Sequence, residues 1–184
     1  IPRARAALDA LFGTSDWPAP ETAHAPELGA AVEEVIRVVP GLERLDPVIT
    51  ELVRLLGARR HACRVCQSVR SYSAMAAGAD DRLFDAVEHH ATSDYRPEQK
   101  AALAFAEGML SSPARFEASV VGDLRRYYSP EACVELVLDV LRNATNKVAV
   151  ALGGDAPRVE TGYEVYDVKP TGEIVYGLEA PASF

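Results

Sequence analysis

The chain has 184 residues, 48% of them hydrophobic, enough apolar material for one sizeable core that needs no disulfide staples. A formal charge of -8 argues against a nucleic-acid partner, because binding to a phosphate backbone rests on a surplus of Lys and Arg. No stretch approaches the ~20 uninterrupted apolar residues of a membrane span, and no opening segment reads as a secretory leader. The expectation is a soluble, cytoplasmic protein, in keeping with three thinly spread cysteines, Cys63, Cys66 and Cys133.

Apolar residues recur at three and four over most of the chain, so it reads as all-α. Residues 1–13, "IPRARAALDALFG", give a short helix, followed by the Pro-rich connector "TSDWPAPETAHAP". "ELGAAVEEVIRVV" resumes the helix and stops at "PG". Asp46 then Pro47 mark the next helix start, with a capping side chain and a residue preset for the first turn. A further helix is expected from about Ala62 to Ala77, ended by Gly78.

"DDRLFDAVEHH", "PEQKAALAFAEGMLSS" and "ARFEASVVGDLRRYY" continue the helical period. Ser129 and Pro130 open the longest helix, which runs to Gly153. Near the end, "GYEVYDVKPTGEIVYGL" alternates over two runs around a turn-like stretch, which predicts a short hairpin or an extended arm. The chain thus divides into an N-terminal helix and connector (1–26), a helical core (27–154) and a tail (155–184).

The stretch "HACRVCQSVR" at 61–70 carries the chemistry. On a helix, Cys63, Cys66 and Arg70 fall at roughly 0°, 300° and 340°, so two thiols and a guanidinium share one face. A helix N-terminus and a nearby guanidinium both favour thiolate, which suits an attacking thiol and a resolving one. Zinc wants four ligands and only one cluster is present, although His61, His89, His90 and Cys133 leave a folded-together site open. Two buried, inert cysteines are the bland alternative. Cys133 reads as core. Asn143 and Thr145 spell a glycosylation sequon, read as accidental on a buried-looking helix.

Three stretches, "ELVRLLGARRHACRVCQSVRSYSAMAAG", "RPEQKAALAFAEGML" and "SPEACVELVLDVLRNATNKVAVALG", resemble the carboxymuconolactone decarboxylase family, in its alkylhydroperoxidase D-like branch. The resemblance implies an alkylhydroperoxidase D-like helical bundle and a peroxidase in which Cys66 attacks peroxide, Cys63 resolves it to a disulfide, and Glu51 takes part in a proton relay. It implies no haem, flavin or metal, a thioredoxin-like or lipoyl-bearing dithiol reductant, and a homo-trimer or homo-hexamer.

The branch's relay histidine falls on Arg70, and a second histidine position falls on Val65. Arginine stays charged and passes no proton on, so His61 is the candidate substitute. A redox-responsive or non-catalytic family member is the alternative. Cofactor-free lactone decarboxylation is weaker still, because it has no need of paired thiols.

Overall fold

The structure is a computed structural model that describes residues 26–182 together with Ala6. The expected helix over 1–13, Ala6 apart, and the connector, Pro26 apart, lie outside the described residues.

Helix α1 (Pro26–Val38) ends in a 3-10 turn at Val39–Gly41. Helix α2 (Pro47–Arg60) starts as expected, with the Asp46 carboxylate accepting the Val48 N–H at 2.8 Å and Pro47 in the first turn. Every residue from Glu51 to Ala58 is buried, so α2 is the central rod of the core. Around it stand α6 (Pro97–Ser111), α7 (Ala118–Tyr127) and α8 (Pro130–Ala144), with α6 and α8 packed directly on α2 and α7 packed on α6. Leu52, Leu55, Leu56, Leu103 and Leu136 close the space between them and are almost wholly shielded from water. Helix α5 (Asp81–Asp85) and a 3-10 turn at Ala86–His89 seal one end with Phe84 and Val87.

The expected helix from Ala62 to Ala77 is broken. It becomes α3 (Arg64–Gln67), strand β1 (Val69–Ser71) and α4 (Tyr72–Ala76). The cause is tertiary. Strand β1 pairs in parallel with β2 (Glu164–Val168), Arg70 standing opposite Val165. A buried ion pair on α2 also claims the backbone groups a helix would use internally. Arg54 donates to the carbonyls of Cys66 (2.6 Å) and Val69 (2.9 Å), and Glu51 accepts the Ser71 N–H at 3.1 Å. Local period cannot outweigh a ladder and a buried charge pair acting together.

The longest helix is also split. The Thr145 hydroxyl and N–H both donate to the Arg142 carbonyl, and a new helix, α9 (Asn146–Leu152), starts there. Gly153, at φ 82°, ends it in the left-handed conformation.

The expected tail hairpin is present: β2 pairs antiparallel with β3 (Ile174–Leu178), in a sheet of order β1-β2-β3. Its turn docks on the end of α1, where Arg37 donates to the Thr171 carbonyl at 3.0 Å. Gly172, at φ 83°, meets Arg37 so closely that a Cβ would lie 2.1 Å from its carbonyl oxygen. Only glycine fits this contact. The all-α bundle with a short C-terminal hairpin therefore stands, with one strand recruited from the cysteine region. Among the described residues, no helix is long and apolar enough to cross a membrane.

Candidate active site

The end of α2 sets the geometry of the cysteines. After Arg60 the chain turns through Ala62, a non-glycine residue at φ 52°, and Cys63 takes the N-cap position of α3 in extended conformation. Cys63 and Cys66 are joined as a disulfide, with their Cα atoms 5.3 Å apart. Their environments differ. Cys63 is fully buried, whereas Cys66 is half-buried and lines a pocket of about 250 Å³. The Cys66 N–H donates to Cys63 Sγ at 3.3 Å, so the buried sulfur has an amide donor available when it carries charge.

The expected dipole effect of a long helix does not apply, because α3 has only four residues. Its first two amides are also taken by Asp155, whose carboxylate accepts the Arg64 N–H at 3.0 Å and whose carbonyl accepts the Val65 N–H at 3.1 Å. Asp155 also pairs with the Arg64 guanidinium at 2.9 Å. It fastens the cysteine turn to the end of the helical core.

Arg70 is not among the residues that line the pocket on which Cys66 opens. Its position on β1 sends the guanidinium away from the pocket, over the rings of Phe84 (5.5 Å) and Tyr163 (5.0 Å), with one terminal nitrogen on the carbonyls of Gln67 and Val69. The expected shared helical face fails because residues 69–71 are a strand. The guanidinium that lines the pocket and holds the Cys66 carbonyl is that of Arg54.

Glu51 reaches the cysteines only through Arg54. Its carboxylate accepts from Arg54 Nε (2.6 Å) and Nη2 (2.7 Å), from the Ser71 N–H and from the Tyr166 hydroxyl (3.1 Å). Four donors on one buried carboxylate anchor it firmly to α2, β1 and β2. The same cluster raises the Tyr166 hydroxyl pKa, through burial first and the Glu51 charge next. Burial opposes the Arg54 charge, but the charge and hydrogen bonds of Glu51, together with Tyr166 and Tyr176, outweigh it and the guanidinium pKa rises.

His61 does face the pocket. Its Nε2 is buried without a hydrogen-bond partner, and burial, then the Lys147 charge, holds the imidazole below its ordinary pKa. It is therefore an imidazole held toward its neutral form on the wall that Cys66 shares. Among the described residues no group of three or more His, Cys, Asp or Glu side chains is placed to hold a metal ion. Cys133 is partly buried against the core, and Asn143 is buried at the pocket edge.

Three pocket residues escaped the sequence reading: Arg54, Arg142 and Tyr166. Arg54 had a local signal, lying three residues after Glu51 in a helix otherwise apolar. The other two are brought in by tertiary packing alone.

The fold recurs in solved structures. ATU0492 of Agrobacterium tumefaciens, a protein of unknown function assigned to AhpD antioxidant defence, superposes with a TM-score of 0.60 at 18% identity, covering 77% of this chain and 97% of that one. The chain has the alkylhydroperoxidase D-like fold. The debrominase Bmp8 shares this fold, with a TM-score of 0.62 at 22% identity over 75% of each chain for the apo form. A cysteine-to-alanine variant of Bmp8 bound to 2,3,4-tribromopyrrole gives 0.60 over 72% of each. No family model matches the chain.

In sequence, the chain is 41% identical to two uncharacterized proteins of Mycobacterium tuberculosis, Rv2313c of strain H37Rv and MT2376 of strain CDC 1551. The match takes in 96% of the chain. The chain spans 65% of the length of these curated relatives.

Proposed function

We propose that the protein is a thiol-dependent oxidoreductase that reduces a peroxide at Cys66 and closes the Cys63–Cys66 disulfide. The observation that carries this reading is the unequal exposure of the bonded pair: Cys66 opens on the pocket while Cys63 lies fully buried behind it. An attacking thiol needs access and a resolving thiol needs only its partner.

In the reduced protein, neutral His61 takes the Cys66 thiol proton. The thiolate attacks the distal peroxide oxygen, the O–O bond breaks, and the alkoxide leaves as an alcohol with the proton His61 returns. Cys66 is then a sulfenic acid. The Cys63 sulfur attacks it, the S–O bond breaks, and hydroxide leaves with the Cys63 proton as water. An external dithiol returns the two electrons by attacking Cys66, with Cys63 leaving as a thiolate that the Cys66 N–H stabilises. Thioredoxin-like and lipoyl-bearing proteins are reductants of this class. Glu51 and Arg54 hold the Cys66 carbonyl and so position the turn. Arg70 has no part in the cycle, and the chemistry calls for no metal or flavin.

We also infer a homo-oligomer, a trimer or hexamer, in a reducing compartment such as the cytoplasm. Val134, Val137 and Leu141 on α8 and Val148 on α9 leave apolar surface exposed, a face suited to a second copy. Sedimentation showing only a 19.8 kDa species at micromolar concentration would contradict the assembly.

The test of the function is a thiol titration before and after one equivalent of organic hydroperoxide, with mass spectrometry to locate the bridge. Rapid loss of two thiols with a Cys63–Cys66 bond is expected. Unreactive thiols would leave a non-catalytic fold member. Bromopyrroles belong in the same screen, because the debrominase Bmp8 shares the fold and this pocket has apolar walls in Ile36, Val65 and Ile174.

A further inference from the structure

The pocket beside Cys66 carries an uncompensated positive charge. Among the described residues no Asp or Glu lines it, although the chain as a whole is strongly acidic. Of its two guanidinium groups, Arg54 is neutralised by Glu51. Arg142 is not. Its Nε donates to the Ile36 carbonyl at 3.3 Å, and among the described residues its terminal nitrogens have no protein partner and it makes no ion pair.

Asp139, one turn earlier on α8, is the nearest candidate partner, but burial pushes its carboxyl up to about 7. It is thus partly protonated near neutral pH. A second cavity of about 360 Å³ shares Arg142 and is lined by Glu43, Glu51 and Asp167 as well, yet none of these pairs with Arg142. Lys147 adds its charge near His61.

A half-buried guanidinium cannot shed its proton, and burial without a counter-ion is a cost that a bound anion would relieve. Two free terminal nitrogens form the fork that grips a carboxylate. Ile36, Val65, Val69 and Ile174 give the pocket apolar wall, Asn143 and Asn146 give it neutral polar wall, and its volume of about 250 Å³ suits only a small ligand.

From this we propose that the pocket selects a small apolar molecule bearing a carboxylate, with the carboxylate on Arg142 and the remainder directed toward Cys66. The proposal rests on the reading of this pocket as the substrate site. In that reading the peroxide substrate is a carboxylate-bearing organic hydroperoxide.

The test uses the wild-type protein in its disulfide form without peroxide, so thiol chemistry takes no part. Phenylacetate and its neutral isostere phenylacetamide are titrated by calorimetry or NMR shift mapping. Phenylacetate is expected to bind about tenfold or more tighter than the amide, with an advantage lost in Arg142→Met and partly kept in Arg142→Lys. Equal binding of the two probes, binding of neither, or a phenylacetate advantage that survives in Arg142→Met would overturn the proposal. A thermal melt of each variant separates loss of the site from loss of the fold. These results leave the peroxidase reading standing or falling on its own thiol assay.

Discussion

Arg54 grips Glu51 through two hydrogen bonds of 2.6 and 2.7 Å inside the central helix, and the same guanidinium holds the Cys66 carbonyl. One buried ion pair therefore joins the core to the cysteine turn. Glu51 is engaged by four donors, which makes it an anchor for this turn. The cost of burying two charges is met by their pairing and by the backbone groups they satisfy.

Breaking that pair is expected to be expensive. Arg54→Met leaves the Glu51 carboxylate buried with only the Ser71 N–H and Tyr166 hydroxyl, and the loss should be about 3–5 kcal/mol. Urea unfolding measures it. The double variant Glu51→Gln/Arg54→Met should recover part of the loss, since it strands no charge.

His61 should control the peroxide step. Its folded pKa lies below the ordinary value, so the ring is a competent base at neutral pH and loses that role as pH falls through the depressed pKa. His61→Gln is expected to slow the step about 100-fold and to remove that inflection from the stopped-flow pH profile. A variant with an unaltered profile would take His61 out of the mechanism.

Arg70 should matter to stability and not to reactivity. Arg70→Ala removes the guanidinium stacked on Phe84 and Tyr163 and is expected to cost about 1–3 kcal/mol. Arg70→His, which restores the histidine of the resembling branch, should leave the rate of disulfide formation unchanged. A faster rate would place residue 70 at the thiols after all.

Asp139 makes stability depend on pH. Burial raises its carboxyl from 3.8 to about 7, so between those values the folded state holds a proton that the unfolded state has released. Its favourable contribution is complete below pH 3.8 and is lost as pH rises through about 7. Asp139→Asn should therefore stabilise most above pH 7, by up to about 4 kcal/mol, and least in acid. Denaturation midpoints at pH 4 and pH 8 check the sign.

Local patterns made the helical core legible, because α2, α6 and α8 each announce themselves by an N-terminal Pro and apolar residues at helical spacing. The cysteine pair was legible from residue type and spacing, and Glu51 only through the family resemblance. The break between Ala62 and Ala77 was not, since it depends on a tail strand pairing with Val69–Ser71 and on Arg54 capturing carbonyls from a neighbouring element. That break turned Arg70 away and exchanged one guanidinium for another. His61 sits at the end of α2, just before a turn whose Ala62 has positive φ, a conformation alanine does not advertise. Arg142 and Tyr166 are joined to the site by helix packing and sheet pairing, which no periodicity records.

The most direct measurement is sulfenic-acid trapping in Cys63→Ser and Cys66→Ser after a single addition of hydroperoxide, timed by stopped flow. The expected result is a trapped sulfenate on Cys66 in the first variant, formed as fast as the wild-type disulfide, and no reaction at Cys63 in the second. Equal trapping at either cysteine, or none at both, would contradict the division of labour between an open Cys66 and a buried Cys63.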